Sequence, residues 1–111
     1  MIDINVSSSG NATVISVGGR IDSMNANQLG EALLLEIDNG NNKLVLDLAR
    51  VDYMSSAGLR EIVTSLKRAK RADGDLRVAE PSERLLDIFE MAGLDTILQI
   101  FSTQGEAIKS Y

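Results

Sequence analysis

Two adjacent hydroxyls, Ser55 and Ser56, are the residues in this sequence best placed to do chemistry. They follow Val51-Asp52-Tyr53-Met54 and precede Ala57-Gly58-Leu59, after which Leu59, Ile62, Val63, Leu66 and Ala69 recur at helical spacing to about Ala72. The pair therefore falls at a helix start, where backbone N–H groups lack intrahelical partners and the macrodipole is positive. Two uses fit that position. A serine there can cap the helix by accepting from an N–H of the first turn. It can also carry a phosphate, which brings roughly −1.5 to −2 charges and three acceptor oxygens to an end that favours anions. Arg60, one turn on, is placed to help hold such a group. Residue types alone leave both readings open.

Catalysis by the serines themselves is disfavoured, because an alcohol needs a positioned base and the chain has no His. With no Cys either, thiolate chemistry, disulfides and the usual zinc sites fall away, and neither a metal nor a cofactor is expected. Gly18-Gly19 lacks the glycine and lysine spacing of a phosphate-binding loop. Asp22 reads as a cap or turn residue before the first helix. The cluster Lys67, Arg68, Lys70 and Arg71 could meet an acidic partner or a membrane surface, and equally reads as a solvated face complementing the negative helix end.

The scaffold for these residues is a short chain of ordinary globular composition. Its 111 residues suffice for one domain, spanning residues 1–111, and 44% hydrophobic with 24% charged residues suits a packed fold. Two Phe, two Tyr and no Trp imply an aliphatic core and little capacity for base stacking. A net charge of −5 disfavours phosphate backbones, so no nucleic-acid partner is expected. The stretch Met1 to Val6 alternates apolar and polar residues, with no basic leader or long apolar run. A cytoplasmic location without membrane insertion is the expectation.

Period-two alternation over Ile2, Ile4 and Val6 predicts a strand, Ser8 to Asn11 a turn, and Ala12 to Gly18 a second strand in a hairpin. Ala26, Leu29, Leu33 and Ile37 mark a helix capped by Ser23 or Asn25 and stopped by Asp38 to Asn42. Leu44 to Leu48 reads as a central strand. Beyond the serine helix, Asp73-Gly74-Asp75 is a stop and Leu76 to Ala79 a strand. Pro81-Ser82 opens a third helix carrying Leu85, Ile88, Phe89 and Ala92 on one face. Gly93 suits a left-handed helix end that lets Leu94 fold back on Phe89. Ile97 to Phe101 reads as a last strand, and Thr103 with Glu106 as a capping box on a terminal helix. The order predicts an α/β fold, a mixed sheet of about five strands with about four helices: parallel in its second half, with the opening hairpin supplying an antiparallel edge.

Nearly the whole chain resembles the STAS domain family. The resemblance rests on Gly19-Arg20-Ile21-Asp22, on Leu44 to Leu48, on Tyr53-Met54-Ser55-Ser56-Ala57-Gly58-Leu59, on Gly74 to Val78 and on Met91-Ala92-Gly93-Leu94. Within that family it is most similar to bacterial anti-sigma-factor antagonists, which are binding proteins of signal transduction and transcription regulation, not enzymes. The resemblance implies partner switching. The unphosphorylated protein binds a serine-kinase anti-sigma factor and so releases a sigma factor or other regulator, phosphorylation ends the binding, and a serine phosphatase resets it.

By position, Ser56 corresponds to the phosphorylated serine, with Ser55 as the alternative acceptor. Ser55 itself stands where many antagonists carry Asp. The same resemblance implies that Asp22, Tyr53, Met54, Ser55, Ala57, Gly58 and Arg60 contribute to partner binding. A second use within the family is a constitutive STAS interaction subunit of a lipid-transport ABC complex, held without phosphorylation.

Overall fold

The computed structural model describes residues 2–111, so Met1 lies outside the described residues. The chain runs β1 (Ile2–Ser9), β2 (Ala12–Ile21), α1 (Ala26–Asp38), β3 (Lys43–Met54), α2 (Ser56–Arg71), β4 (Asp75–Ala79) and α3 (Glu83–Met91). A 3-10 turn at Leu94–Thr96 then leads to β5 (Ile100–Phe101) and α4 (Gln104–Lys109). The five strands form one sheet in the order β1-β2-β3-β4-β5. Only β1–β2 is antiparallel; β2–β3, β3–β4 and β4–β5 are parallel. This is the expected mixed α/β sheet with four helices.

Strand alternation distributes the core over both faces of the sheet. Ile15, Val17, Leu44, Leu46, Leu76 and Val78 pack with Leu29 and Leu33 of α1, Ile62 and Leu66 of α2, and Leu85 and Phe89 of α3. Their neighbours Ala12, Val14, Val45 and Ala79 turn the other way and meet Ala107 of α4, with Ile108 and Tyr111 beside them. Burying a Leu or Ile side chain fully contributes roughly 1.5–3 kcal/mol, so the aliphatic layer under α1–α3 dominates cohesion.

Several boundaries differ from the sequence-based expectation, each for a physical reason. The hairpin turn narrows to Gly10-Asn11, because Ser7, Ser8 and Ser9 pair with Val14, Thr13 and Ala12. The central strand runs on from Leu48 to Met54. Beyond Asp47 it has lost its pairing with β4 and keeps only β2, so Arg50 and Asp52 on this half-open stretch reach solvent and the apolar run is broken. The last strand shrinks to Ile100–Phe101, because Ile97 and Leu98 donate back to Leu94 O in helical-turn bonds. Gly93 takes the left-handed conformation expected of it, with φ 76°.

The end of α2 is closed by an unexpected residue. Asp73, with φ 64°, takes the left-handed position, and Gly74 N–H bonds Ala69 O at 2.8 Å. Gly74 is needed for a different reason: a Cβ there would lie 1.9 Å from the backbone oxygen of Asn42.

Candidate functional site

The carboxyl ends of β2 and β3 bring together the two segments that matter. Ser55 N–H donates to Ile21 O at 2.8 Å, so the loop after β2 and the start of α2 are tied backbone to backbone. Ser55 is the N-cap of α2, in extended conformation, and its Oγ accepts from Gly58 N–H at 3.4 Å. Ser56 is the first helical residue and is exposed, and among the described residues its hydroxyl has no hydrogen-bond partner. The two readings left open by the sequence are thus divided between neighbours: Ser55 caps, and Ser56 is free.

The first turn of α2 contains no carboxylate. Its positive end is therefore uncompensated within the helix, a setting that favours an added anion at Ser56. Arg60, one turn on, is exposed and has no ion-pair partner among the described residues.

Beneath this surface the helix start is set by close packing. A Cβ at Gly58 would come within 2.7 Å of Met54 Cγ and 2.8 Å of Ile21 Cγ2, so only glycine lets α2 sit this low on the strand ends. Met54 is 2% exposed and Gly58 is also buried. Of the residues expected at a partner surface, these two are buried in the free chain and set the height of the loop from below. Ala57 is half-buried against the core. Tyr53 is half-buried too, with the Arg20 guanidinium 4.0 Å above its ring, a stacked pair at the edge of the site.

Asp22 does not direct its carboxylate to the serines. Its Oδ1 accepts from Met24 N–H at 2.9 Å and Asn25 N–H at 3.1 Å, a turn that fixes the loop. Asn25 completes the lock: its Oδ1 accepts from Asp22 N–H, and its Nδ2 donates to Arg20 O, both at 2.9 Å. Asn25 is thus the N-cap of α1 by position, without a side-chain cap bond. The lock displays Met24, 85% exposed, beside the helix start. Sequence reasoning passed over Met24; the signal was an apolar residue within the otherwise polar run Asp22 to Asn25.

A cavity of about 420 Å³ opens at the same end of the sheet, lined by Pro81, Leu86, Ile100, Phe101 and Ser102, and includes none of these residues. The basic cluster lies at the far end of α2, where Arg68 pairs with Asp38 at 3.1 Å. No helix among the described residues is long and apolar enough to cross a membrane.

Comparison with known proteins adds to this geometry. The family model of the STAS domain matches residues 3–107. The anti-sigma-B factor antagonist of Bacillus subtilis is 33% identical over 99 residues, covering 89% of this chain and 90% of that protein. An anti-sigma factor antagonist from Mycobacterium paratuberculosis has a similar fold, with a TM-score of 0.90 at 24% identity, covering 99% of this chain and 93% of that one. The Bacillus cell fate determinant SpoIIAA, solved in its phosphorylated form, superposes with a TM-score of 0.76 at 19% identity, covering 97% and 98% of the two chains.

Proposed function

This chain belongs to the STAS domain family, and from that premise we propose that it is an anti-sigma factor antagonist switched by phosphorylation of Ser56. Anti-sigma factor antagonists of this family are regulatory binding proteins, not enzymes. In the proposed cycle, which runs in the cytoplasm, the free protein docks on a serine-kinase anti-sigma factor through Met24, Tyr53, Ser56 and Arg60. The kinase moves the γ-phosphoryl group of ATP onto Ser56 Oγ, ADP leaves, and a base on the kinase takes the hydroxyl proton. A serine phosphatase restores the hydroxyl.

The observation that carries this reading is the division of labour at the start of α2. Ser55 Oγ is engaged with Gly58 N–H, whereas Ser56 Oγ is exposed and unpartnered. A kinase can therefore reach Ser56 without dismantling the cap. Phosphate at the first helical position leaves the fold intact, because the helix end favours it. An interface that had accepted a neutral hydroxyl would instead have to accept a dianion. The solved phosphorylated form of SpoIIAA, a protein of similar fold, supports the view that the fold tolerates such a group.

The test is to combine the wild type, Ser55→Ala and Ser56→Ala with kinase-type anti-sigma factors and Mg·ATP, following intact mass and complex formation together. Gain of a single phosphate by wild type and Ser55→Ala, absent from Ser56→Ala and accompanied by release of the kinase, is the expected result. A tight complex that no kinase modifies would replace this reading with the constitutive interaction subunit.

A further inference from the structure

The basic cluster of α2 takes on meaning once the helix is seen end to end. Arg60, Lys67, Arg68, Lys70 and Arg71 place five of the chain's 11 cations in a helix of 16 residues, in a protein of net charge −5. At 100° per residue, Ser56, Arg60, Lys67, Lys70 and Arg71 fall on one arc of the helix, with Val63 between them. All five are exposed. Arg68 lies off this arc and is held by Asp38 of α1. The single carboxylate of α2, Glu61, also lies off it, turned toward α1 at Gly30. The arc is a strip about 22 Å long, carrying four cations and no acid, with Ser56 at one end.

From this strip we infer that the anti-sigma factor presents an acidic face to α2, and that docking extends from Ser56 along the helix to Arg71. The inference rests on the partner-switching reading above and adds to it the extent and the charge of the surface. Charge complementarity of this kind acts mainly on the rate of encounter and on the choice of partner. It also gives phosphorylation a second effect: the phosphate sits one turn from Arg60 and cancels positive charge at the end of the strip nearest the switch.

The experiment measures association of the unphosphorylated protein with the kinase-type anti-sigma factor at low and high NaCl, for wild type, Lys67→Glu, Lys67→Glu/Arg71→Glu and Lys109→Glu. Lys109 lies in α4, against the other face of the sheet, and its reversal changes net charge as much as Lys67→Glu does. Thermal melts confirm that each variant is folded. The expected result is an association rate reduced about tenfold or more in the double variant at low salt, a flattened salt dependence, and little change in Lys109→Glu.

Equal rates for wild type and the double variant, in a complex that still forms, would overturn the strip and leave the antagonist reading standing. A wild type that binds no anti-sigma factor would overturn both. Vesicles of phosphatidylglycerol are the competing probe: cosedimentation lost in the double variant while anti-sigma binding is unchanged would reassign the strip to a membrane surface.

Discussion

At the amino ends of β3 and β4 the last residues of the chain are clasped by polar contacts. The Tyr111 hydroxyl lies 2.6 Å from Leu44 O and 2.8 Å from Asp75 O and donates between them. Arg77 stacks 3.9 Å over the Tyr111 ring, pairs with Asp75 at 3.0 Å, and donates to Ser110 O and Oγ at 2.6 and 2.7 Å. At the carboxyl ends of β2 and β3, the Ser56 hydroxyl and Arg60 have no partners among the described residues, and Met24 stands in solvent. Tyr111 and Arg77 at the first end close the fold onto itself, whereas at the second the loop is locked by Asp22, Asn25 and Ser55 while Ser56 and Arg60 stay unpaired among the described residues. The Tyr111–Arg77 clasp and the exposed Ser56 hydroxyl thus sit at opposite ends of the same strands, so a substitution in the clasp should leave access to Ser56 nearly untouched, and loss of the Ser56 hydroxyl should leave stability nearly untouched.

The largest expected effect comes from Gly74→Ala at the closed end. Its Cβ would meet the backbone oxygen of Asn42 at 1.9 Å, which no side-chain rotation relieves. A loss of about 3 kcal/mol is expected in urea unfolding, with phosphate incorporation at Ser56 per folded molecule unchanged. A loss of phosphate incorporation in the folded fraction would break the separation.

Tyr111→Phe comes next, with a loss of about 1–2 kcal/mol from carbonyls left underpaired. Burial, and then the Asp75 carboxylate, push the Tyr111 phenol above its ordinary value. The unfolded chain therefore releases this proton first, near pH 10. Stability from this group is whole below that pH and falls as pH rises above it. Unfolding curves across that range should show the fall in wild type and not in Tyr111→Phe.

The smallest effects on stability fall at the open end, and they sharpen the comparison most. Ser55→Ala should cost about 1 kcal/mol as a lost cap, whereas Ser56→Ala should stay within about 0.5 kcal/mol. Phosphate incorporation should follow the reverse order, persisting in the first and vanishing in the second. A Ser56→Ala protein that unfolds as readily as Ser55→Ala would show that the second hydroxyl is structural after all.

Much of this was legible beforehand, and what was missed shares a cause. The order of elements, the left-handed Gly93 and the helix start at Ser55-Ser56 follow from periodicity and local turn chemistry, which act over a few residues. The reach of β3 to Met54 depends on which neighbour it still has beyond Asp47, a fact of sheet pairing. The burial of Met54 and Gly58 likewise arises from contact with Ile21 across the sheet. The roles of the paired serines could not be separated by residue type, since both are good caps. Only the observed bond from Gly58 N–H to Ser55 Oγ distinguishes them. Tyr111 drew no notice, because its partners lie 36 and 67 residues away.

The sheet's spatial order, β1-β2-β3-β4-β5, repeats the order of the chain. Every strand therefore docks beside the one made just before it, and no strand waits for a partner from a distant part of the sequence. The loops closed during assembly are only as long as a single crossover, which keeps the entropy lost before each pairing small. A protein built this way can regain its sheet by successive local additions after unfolding, with β3, the strand that leads into Ser56, flanked by a neighbour on either side.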